Sequence, residues 1–509
     1  MEKTKTLANK YAIYLILATA AILRFLKIDR RDFWYDEAFT GVAIKEKFWG
    51  MINMIIKDVH PPLYYVTVKI FSSFFGYSVF GIRLYSAVFG ILGIWAVYLF
   101  TKNIFGKKAA LWASAVMAIS PFAIQYSQEA RMYAMFGFLF TLASYFFIRG
   151  LQTEKKKYYY FWGLFLGLSA LTHYMGIITA PIFFLVSFGW RIFEGRKIKE
   201  KFSFSKLLKM IFEKKVIAGY GIFGLVFSFW IPIFASHILK AGSLIWIRPA
   251  IIADIFRNIQ IFIFGSPLGE MTGGTTGMPM PSELSFVSSD SMLVLVAMFS
   301  IAILIYLFGK ENKKEKIAGV FILSFGYLIA ICILSMAGIH YLVSRYILPA
   351  AYMIFVILGL WLSKIKSAYA IIAFLTYLVL LASIVPVQNS TGWNKLQKDA
   401  GRFEGREFYI FNPFDYVIAR YYLGPDHLII YNLELPAHSY AEKWAAIGKT
   451  GKRTENFDDI RNKNGIIISN VIIKDEINGK EDEVYRKSLN LNRISILAKY
   501  DNIILYEFK

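Results

Sequence analysis

Two short stretches near the start of the chain carry side chains that could do chemistry, "DFWYDEAFTG" at 32–41 and "KDVHPPLYY" at 57–65. The first sets Asp36 beside Glu37, and a carboxylate there could take the proton from an attacking hydroxyl. Neighbouring helical residues point about 100° apart, so only one of the pair would face a given substrate as general base. A hydrated loop with interfacial aromatics is the competing reading. In the second stretch the double proline fixes φ and disfavours helix at His60, which is either a substrate-facing group or a joint between two helices. A third stretch, "PFAIQYSQEARMYA" at 121–134, supplies Glu129, Arg131 and Tyr133. The forked guanidinium of Arg131 suits phosphate oxygens, or else pairs with Glu129 at the surface. Arg83, His173 with Tyr174 in "LTHYMG", and His340, Arg345 and Tyr346 in "IHYLVSRYILP" complete the set. Arg83 could simply snorkel and His173 could simply sit between helices. Arg345 is expected just inside an apolar helix, where an unpaired guanidinium costs about 3 kcal/mol, so it needs an anionic partner: a protein carboxylate or a bound phosphate. His60, Asp58 and Glu129 could together form a metal site, a reading that is not favoured.

These residues are carried by a chain of 509 residues that is 57% hydrophobic and only 18% charged. Soluble domains are nearer a quarter charged, so the composition points to a polytopic α-helical membrane protein. Apolar stretches at 11–28, 82–104, 109–127, 131–149, 158–174, 176–193, 216–236, 291–309, 317–338, 344–363 and 367–386 give about eleven spans of bilayer-crossing length. The first, "YAIYLILATAAILRFLKI", lacks a small-residue cleavage site and reads as a retained span. The net charge of +22 resides in short clusters between these spans, such as "TKNIFGKK", "TEKKK" and "KENKKEK", rather than on the basic face that nucleic-acid binding requires. Placing every such cluster inside puts the N-terminus in the cytoplasm and sends 29–81, 237–290 and everything after 387 outside. The apolar segment around Leu63 to Gly81 is short, contains Lys69, and reads as an interfacial helix. The loop "GSPLGEMTGGTTGMPMPSELS" is either a cover over a site or a disordered connection. One cysteine, Cys332, excludes an internal disulfide.

After 387 the charges return and the apolar runs shrink to strand length. "EFYIFNP", "DHLIIYNL", "NGIIISNVI", "RISILAKY" and "NIILYEF" read as strands, with "FDYVIARYY" as a helix between the first two. The chain thus divides into a transmembrane domain, 1–387, and a small extracytoplasmic α/β domain, 388–509, without a nucleotide-binding glycine motif.

The segments "WYDEAFTG", "DVHPPLYY", "FGIRLYSAVFGILG" and "SPFAIQYSQEARMYA", in that order and with "SRYILP" later, resemble those of GT-C superfamily glycosyltransferases that use lipid-linked sugars. The branch resembled contains the dolichyl-phosphate-mannose protein mannosyltransferases and the bacterial aminoarabinose transferases. The resemblance implies a multispan cell-membrane enzyme that moves a sugar from a polyprenyl-phosphate carrier to a glycan, lipid or protein acceptor on the outer face. On it, Asp36 matches the catalytic acidic position with Glu37 beside it, His60 the His-Pro-Pro motif, and Arg131 an external-loop arginine. The chain departs from the mannosyltransferases in having Leu63-Tyr64-Tyr65 after the prolines where they have Leu-Gly-Lys, and in lacking their luminal repeat domain.

A lipid phosphate is already a good leaving group, so the scheme needs cations for the developing charge, Arg131 and Arg345 with Arg83, and a base opposite, Asp36. It predicts inversion at the anomeric carbon. Glu129, Tyr133, His60, His173 and Tyr346 are the expected substrate contacts. No cofactor is required, and a divalent metal is compatible but not favoured. The alternatives are a transporter or flippase of lipid-linked sugars, a polysaccharide polymerase or ligase using diphosphate-linked oligosaccharides, or a sensor with an external domain. A transporter would carry charges and broken helices at mid-membrane, whereas here the charges cluster at one surface.

Overall fold

The computed structural model describes residues 2–197, 213–240, 249–265, 290–311, 314–339, 341–384, 391–410, 413–426, 428–431, 452–454, 465–470 and 494–508. His340 and the Gly-rich loop expected at 265–285, apart from its first residue Gly265, lie outside these residues, as does the expected boundary near 387.

A first helix, α1 (Glu2–Phe25), leads into three short ones, α2 (Tyr35–Lys45), α3 (Phe48–Lys57) and α4 (Leu63–Phe75). Six more follow: α5 (Val79–Phe105), α6 (Lys107–Ile119), α7 (Pro121–Ser127), α8 (Tyr133–Thr153), α9 (Lys156–Thr172) and α10 (Met175–Lys197). Beyond them run α11 (Lys214–Ser228), α12 (Ile231–Lys240), α13 (Ala253–Phe264), α14 (Asp290–Lys310), α15 (Lys314–Phe321), a π-helical turn (Ile322–Gly326), α16 (Tyr327–Met336), α17 (Leu348–Lys364) and α18 (Ser367–Ile384).

A helix therefore stands at each expected apolar stretch. Among the described residues, five helices are long and apolar enough to cross a membrane, or up to seven if the two bent pairs each count as one. The pair α6 and α7 bends by 65°. The sequence explains that bend, because Pro121 cannot donate within the helix and Ser120 instead caps the new start, its Oγ accepting the Ala123 N–H at 3.3 Å. Among the helices below span length is α4, with 13 residues. Its Lys69 ammonium donates to the carbonyls of Ile44 at 2.7 Å and Glu46 at 2.6 Å, closing the C-terminal end of α2. Helices approach closely where glycine permits: a Cβ on Gly163 of α9 would lie 2.0 Å from the carbonyl oxygen of Gly219 on α11.

The tail begins with α19 (Trp393–Asp399) and continues β1 (Phe408–Ile410), α20 (Pro413–Leu423), β2 (Leu428–Tyr431), β3 (Lys452–Thr454), β4 (Gly465–Asn470), β5 (Ile494–Tyr500) and β6 (Ile503–Phe508). These strands form one sheet in the order β3-β2-β1-β4-β6-β5. The strands β1 to β4 pair in parallel, with Tyr409 opposite Ile429 and Ile467, while β6 joins β4 and β5 antiparallel. Strand β3, "KRT", was not expected: a polar edge strand three residues long has no apolar alternation to betray it.

This tail is joined to the loop that precedes α2. The Asp32 carboxylate, 2% exposed, accepts N–H bonds from Thr391, Gly392, Trp393 and Asn394 and the Thr391 hydroxyl, at 2.8–3.2 Å. It thereby caps α19 from the other end of the chain. Helix α20 lies along α2, where Tyr421 stacks over Gly41 so closely that a Cβ there would come within 2.5 Å of its ring. Arg420 pairs with Glu46 at 2.9 Å, and Tyr422 Oη accepts the Phe33 N–H at 2.8 Å.

Candidate active site

Helix α2 starts with Tyr35, and its first turn presents Asp36 and Glu37 in different directions. The Glu37 carboxylate is fully buried. Arg83 of α5 grips it bidentately, Nε to Oε1 and NH2 to Oε2, both at 2.7 Å, and the Ala130 N–H reaches Oε1 at 2.8 Å. Arg31 adds a longer contact at 3.4 Å. Burial by itself would raise the Glu37 pKa, but the Arg83 and Arg31 guanidiniums and these hydrogen bonds outweigh it and hold the carboxyl below its usual range.

Arg83 spends its remaining N–H groups on the carbonyls of Ile28, Arg31 and Asp32 at 2.8, 2.7 and 3.1 Å. Glu37, expected beside the catalytic carboxylate, and Arg83, expected at a donor phosphate, hold each other in the structure. The two are held by each other and by the 28–32 loop, and both are buried. Asp36 differs: it is half-buried, and no hydrogen bond from the described residues reaches its carboxylate. Two adjacent carboxylates have been sorted by environment into a strut and an open acceptor.

The loop between α7 and α8 brings Arg131 to α2. Ser86 of α5 donates to the Arg131 carbonyl at 3.2 Å, and the Gln128 amide donates to the carbonyls of Leu23, Arg24 and Leu26 at the end of α1. The buried Arg131 guanidinium donates through NH1 to Tyr65 Oη at 3.1 Å and the Asp36 carbonyl at 3.2 Å, and through NH2 to His60 Nε2 at 3.0 Å. Burial lowers its pKa, but Tyr65, Asp36, Tyr133 and Asp58 more than compensate and raise it well above the ordinary value, so it is a permanent cation.

Arg345 reaches the same place from the far end of the chain, 5% exposed, with its guanidinium 5.7 Å from the Trp34 ring and 5.4 Å from the Tyr346 ring. Asp36 contributes to holding it charged, after Tyr133 and Tyr346. It sits in the turn before α17, not inside a helix as expected, because Pro349 sets the first turn of that helix.

Around the two cations stand the aromatic rings. Tyr133 lies 6.4 Å from Tyr346 and 6.0 Å from His173, His173 lies 5.0 Å from Tyr346 and 6.2 Å from His60, and Phe136 stacks on His173 at 5.3 Å. His173 Nδ1 accepts the Met175 N–H at 3.2 Å, so in the neutral ring Nε2 carries the proton. That buried N–H finds no acceptor among the described residues. Burial first, then His60, Arg131 and Arg345, push the His173 pKa well below the imidazole range, leaving a neutral hydrogen-bond donor.

Glu129, in the same loop, is 1% exposed and has one carboxylate oxygen without a partner among the described residues. Burial and then the Glu37 charge raise its pKa to about 7, with Arg31 and Arg345 opposing. It does not join Asp58 and His60, and among the described residues no group of three His, Cys, Asp or Glu side chains could hold a metal. Tyr174 stands apart from this cluster, bonding His237 Nδ1 at 2.7 Å.

Arg24 and Asp32 escaped the sequence reading. Arg24 is fully buried and ties α1 to the end of α6 through the carbonyls of Ala118 at 2.9 Å and Met117 at 3.3 Å, and to Ser127 Oγ at 3.1 Å. Its signal was available, a lone arginine in an apolar run. Asp32 carried none, since its partners are about 360 residues away.

Residues 59–208 match the family model of dolichyl-phosphate-mannose-protein mannosyltransferases. The chain is 25% identical over 197 residues to YkcB of Bacillus subtilis (strain 168), which is named as a mannosyltransferase. That alignment covers 37% of this chain and 28% of the relative. By structure, the chain resembles ArnT from Cupriavidus metallidurans bound to undecaprenyl phosphate, with a TM-score of 0.59, 12% identity and 97% of both chains covered. It also resembles the apo oligosaccharyltransferase of Archaeoglobus fulgidus, with a TM-score of 0.53 and 15% identity over 91% of this chain and 70% of that one. The ordered motifs, the partial family match and the whole-chain likeness in fold together make this chain similar to glycosyltransferases of the GT-C superfamily.

Proposed function

We propose that the protein is an integral membrane glycosyltransferase that moves a sugar from a polyprenyl-phosphate donor to a glycan, lipid or protein acceptor at the outer face, with inversion. The observation that carries this reading is the convergence of two buried arginines from distant parts of the chain, Arg131 and Arg345, beside the open carboxylate of Asp36. A site with two permanent cations, one half-buried base and a wall of tyrosines suits a sugar held next to a phosphate. That ArnT from Cupriavidus metallidurans binds undecaprenyl phosphate supports the choice of donor class.

In this scheme the acceptor hydroxyl attacks the anomeric carbon from the side of Asp36, which takes its proton. The bond from that carbon to the phosphate oxygen breaks opposite, and the electron pair leaves with the lipid phosphate, where Arg131 and Arg345 balance the new charge. The His173 Nε2–H, Tyr133 and Tyr346 contact the donor, with His60 and Glu129 at its edge. The reaction needs no cofactor and no metal. The N-terminus is cytoplasmic, the chain spans the membrane about eleven times, and residues 1–387 form the transmembrane domain. The site and the α/β domain of residues 388–509 face outward.

Supplying radiolabelled polyprenyl-phosphate sugars to membranes bearing wild type or Asp36→Asn tests the reading. Transfer by wild type and its loss in the variant is expected; a variant that transfers label from every accepted donor at the wild-type rate removes Asp36 from the mechanism.

A further inference from the structure

We infer that Asp58 is a positioning residue that acts through His60 to orient the Arg131 guanidinium. The argument starts from how poorly Asp58 is placed for stability. It is 1% exposed, one carboxylate oxygen has no hydrogen-bond partner among the described residues, and it sits at the C-cap of α3, its N–H bonded to the Met54 carbonyl. A negative charge at the carbonyl end of a helix opposes the helix dipole, and a buried carboxylate with few bonds is costly. Local rules broken together in this way mark a residue retained for function.

The hydrogen bond that its side chain does make shows what the function is. Asp58 Oδ2 lies 2.8 Å from His60 Nδ1, and His60 Nε2 lies 3.0 Å from Arg131 NH2. A guanidinium only donates, so Nε2 must accept and the imidazole proton must reside on Nδ1, facing Asp58. Asp58 thereby selects the one tautomer that can hold Arg131. The backbone of His60 is itself held by Pro61 and Pro62 ahead of α4, while Tyr65 and the Asp36 carbonyl fix the other arm of the guanidinium. Asp58 touches no reacting atom in this arrangement.

The alternative is that Asp58 serves Arg131 only as a through-space counter-charge. A double-mutant cycle separates the two, because a glutamine in place of His60 offers an acceptor oxygen that needs no tautomer. The probe is undecaprenyl phosphate binding to the purified full-length chain in detergent, since the inference rests on Arg131 meeting a lipid phosphate. Asp58→Asn is expected to weaken binding on the order of 10-fold to 100-fold without lowering the melting temperature. Adding Asp58→Asn to His60→Gln is expected to change nothing further; an undiminished loss in that background overturns the inference in favour of the counter-charge.

Histidine-selective ¹³C/¹⁵N NMR, with the His60 signal assigned by its absence from His60→Gln, reads the tautomer without any ligand. An Nδ1–H form in wild type supports the chain of contacts, and an Nε2–H form or an imidazolium overturns it. Wild type that fails to bind undecaprenyl phosphate overturns the proposed donor class instead, while the tautomer still decides the role of Asp58.

Discussion

Replacing Glu37 with glutamine separates a strut from a base. The substitution preserves shape and removes the charge that Arg83 holds through two 2.7 Å contacts, leaving a guanidinium that is 1% exposed with carbonyl partners only. Breaking a buried ion pair from one side costs about 3–5 kcal/mol. With an unfolding entropy of about 2.1 cal/mol/K per residue, 509 residues convert that into a fall in melting temperature on the order of 3–5 °C. Asp36→Asn, which disturbs no hydrogen bond to its side chain, is expected to leave the melting temperature within about 1 °C while stopping transfer.

The pH dependence follows with a definite sign. Because the folded Glu37 carboxyl titrates below its usual value, its stabilisation is present above about pH 4.3 and is lost as pH falls through the depressed folded value. Glu37→Gln should therefore flatten the acid limb of the melting curve. Fluorescence-detected melting in detergent between about pH 3 and 8, beside the label-transfer assay, reads both effects. A Glu37→Gln variant that melts like wild type yet transfers nothing would falsify the assignment of Glu37 as a strut and return it to the chemistry.

Glu129→Gln should act in the opposite sense. A carboxyl with a folded pKa of about 7 is destabilising once ionised, so the variant should match wild type near pH 4 and gain up to about 3 kcal/mol above pH 7, measured by melting across that range. Asp32→Ala removes the acceptor of four backbone N–H groups at the start of α19 and should cost about 1–3 kcal/mol, read as faster protease release of the C-terminal segment; an unchanged cleavage rate disproves the clamp. Gly41→Leu should drive Tyr421 off α2 and lower the melting temperature, whereas Tyr421→Ala in the same chain should partly restore it. Arg345→Ala should raise the donor KM about tenfold or more through lost phosphate pairing, with Arg345→Lys intermediate because it keeps the charge and loses the fork.

The helices of the membrane region were legible because each carries its own evidence, an apolar run bounded by lysines or by Gly and Pro, and such signals are local. The five apolar strands were legible for the same reason, while the "KRT" edge strand was not. The candidate residues were also visible as types: carboxylates, guanidiniums and histidines standing where an apolar chain has no structural use for them. Asp36, His60, Arg131, Tyr133, His173, Arg345 and Tyr346 do converge. What the residue types could not say was which polar group spends itself on another. Glu37 and Asp36 are adjacent and chemically near-equivalent in sequence, and only the arrival of Arg83 from 46 residues away distinguishes them. Arg83 and Arg131 look alike in the sequence until one is found enclosed by carboxylate and carbonyl oxygens and the other held by Tyr65, His60 and a carbonyl. The sequence by itself determined where the chain would be helical and which side chains were available for chemistry, since burial period and side-chain type are properties of short segments. Their division into struts and reactive groups was decided by the tertiary structure, because hydrogen-bond capacity is finite and its allocation depends on which distant segment arrives to claim it.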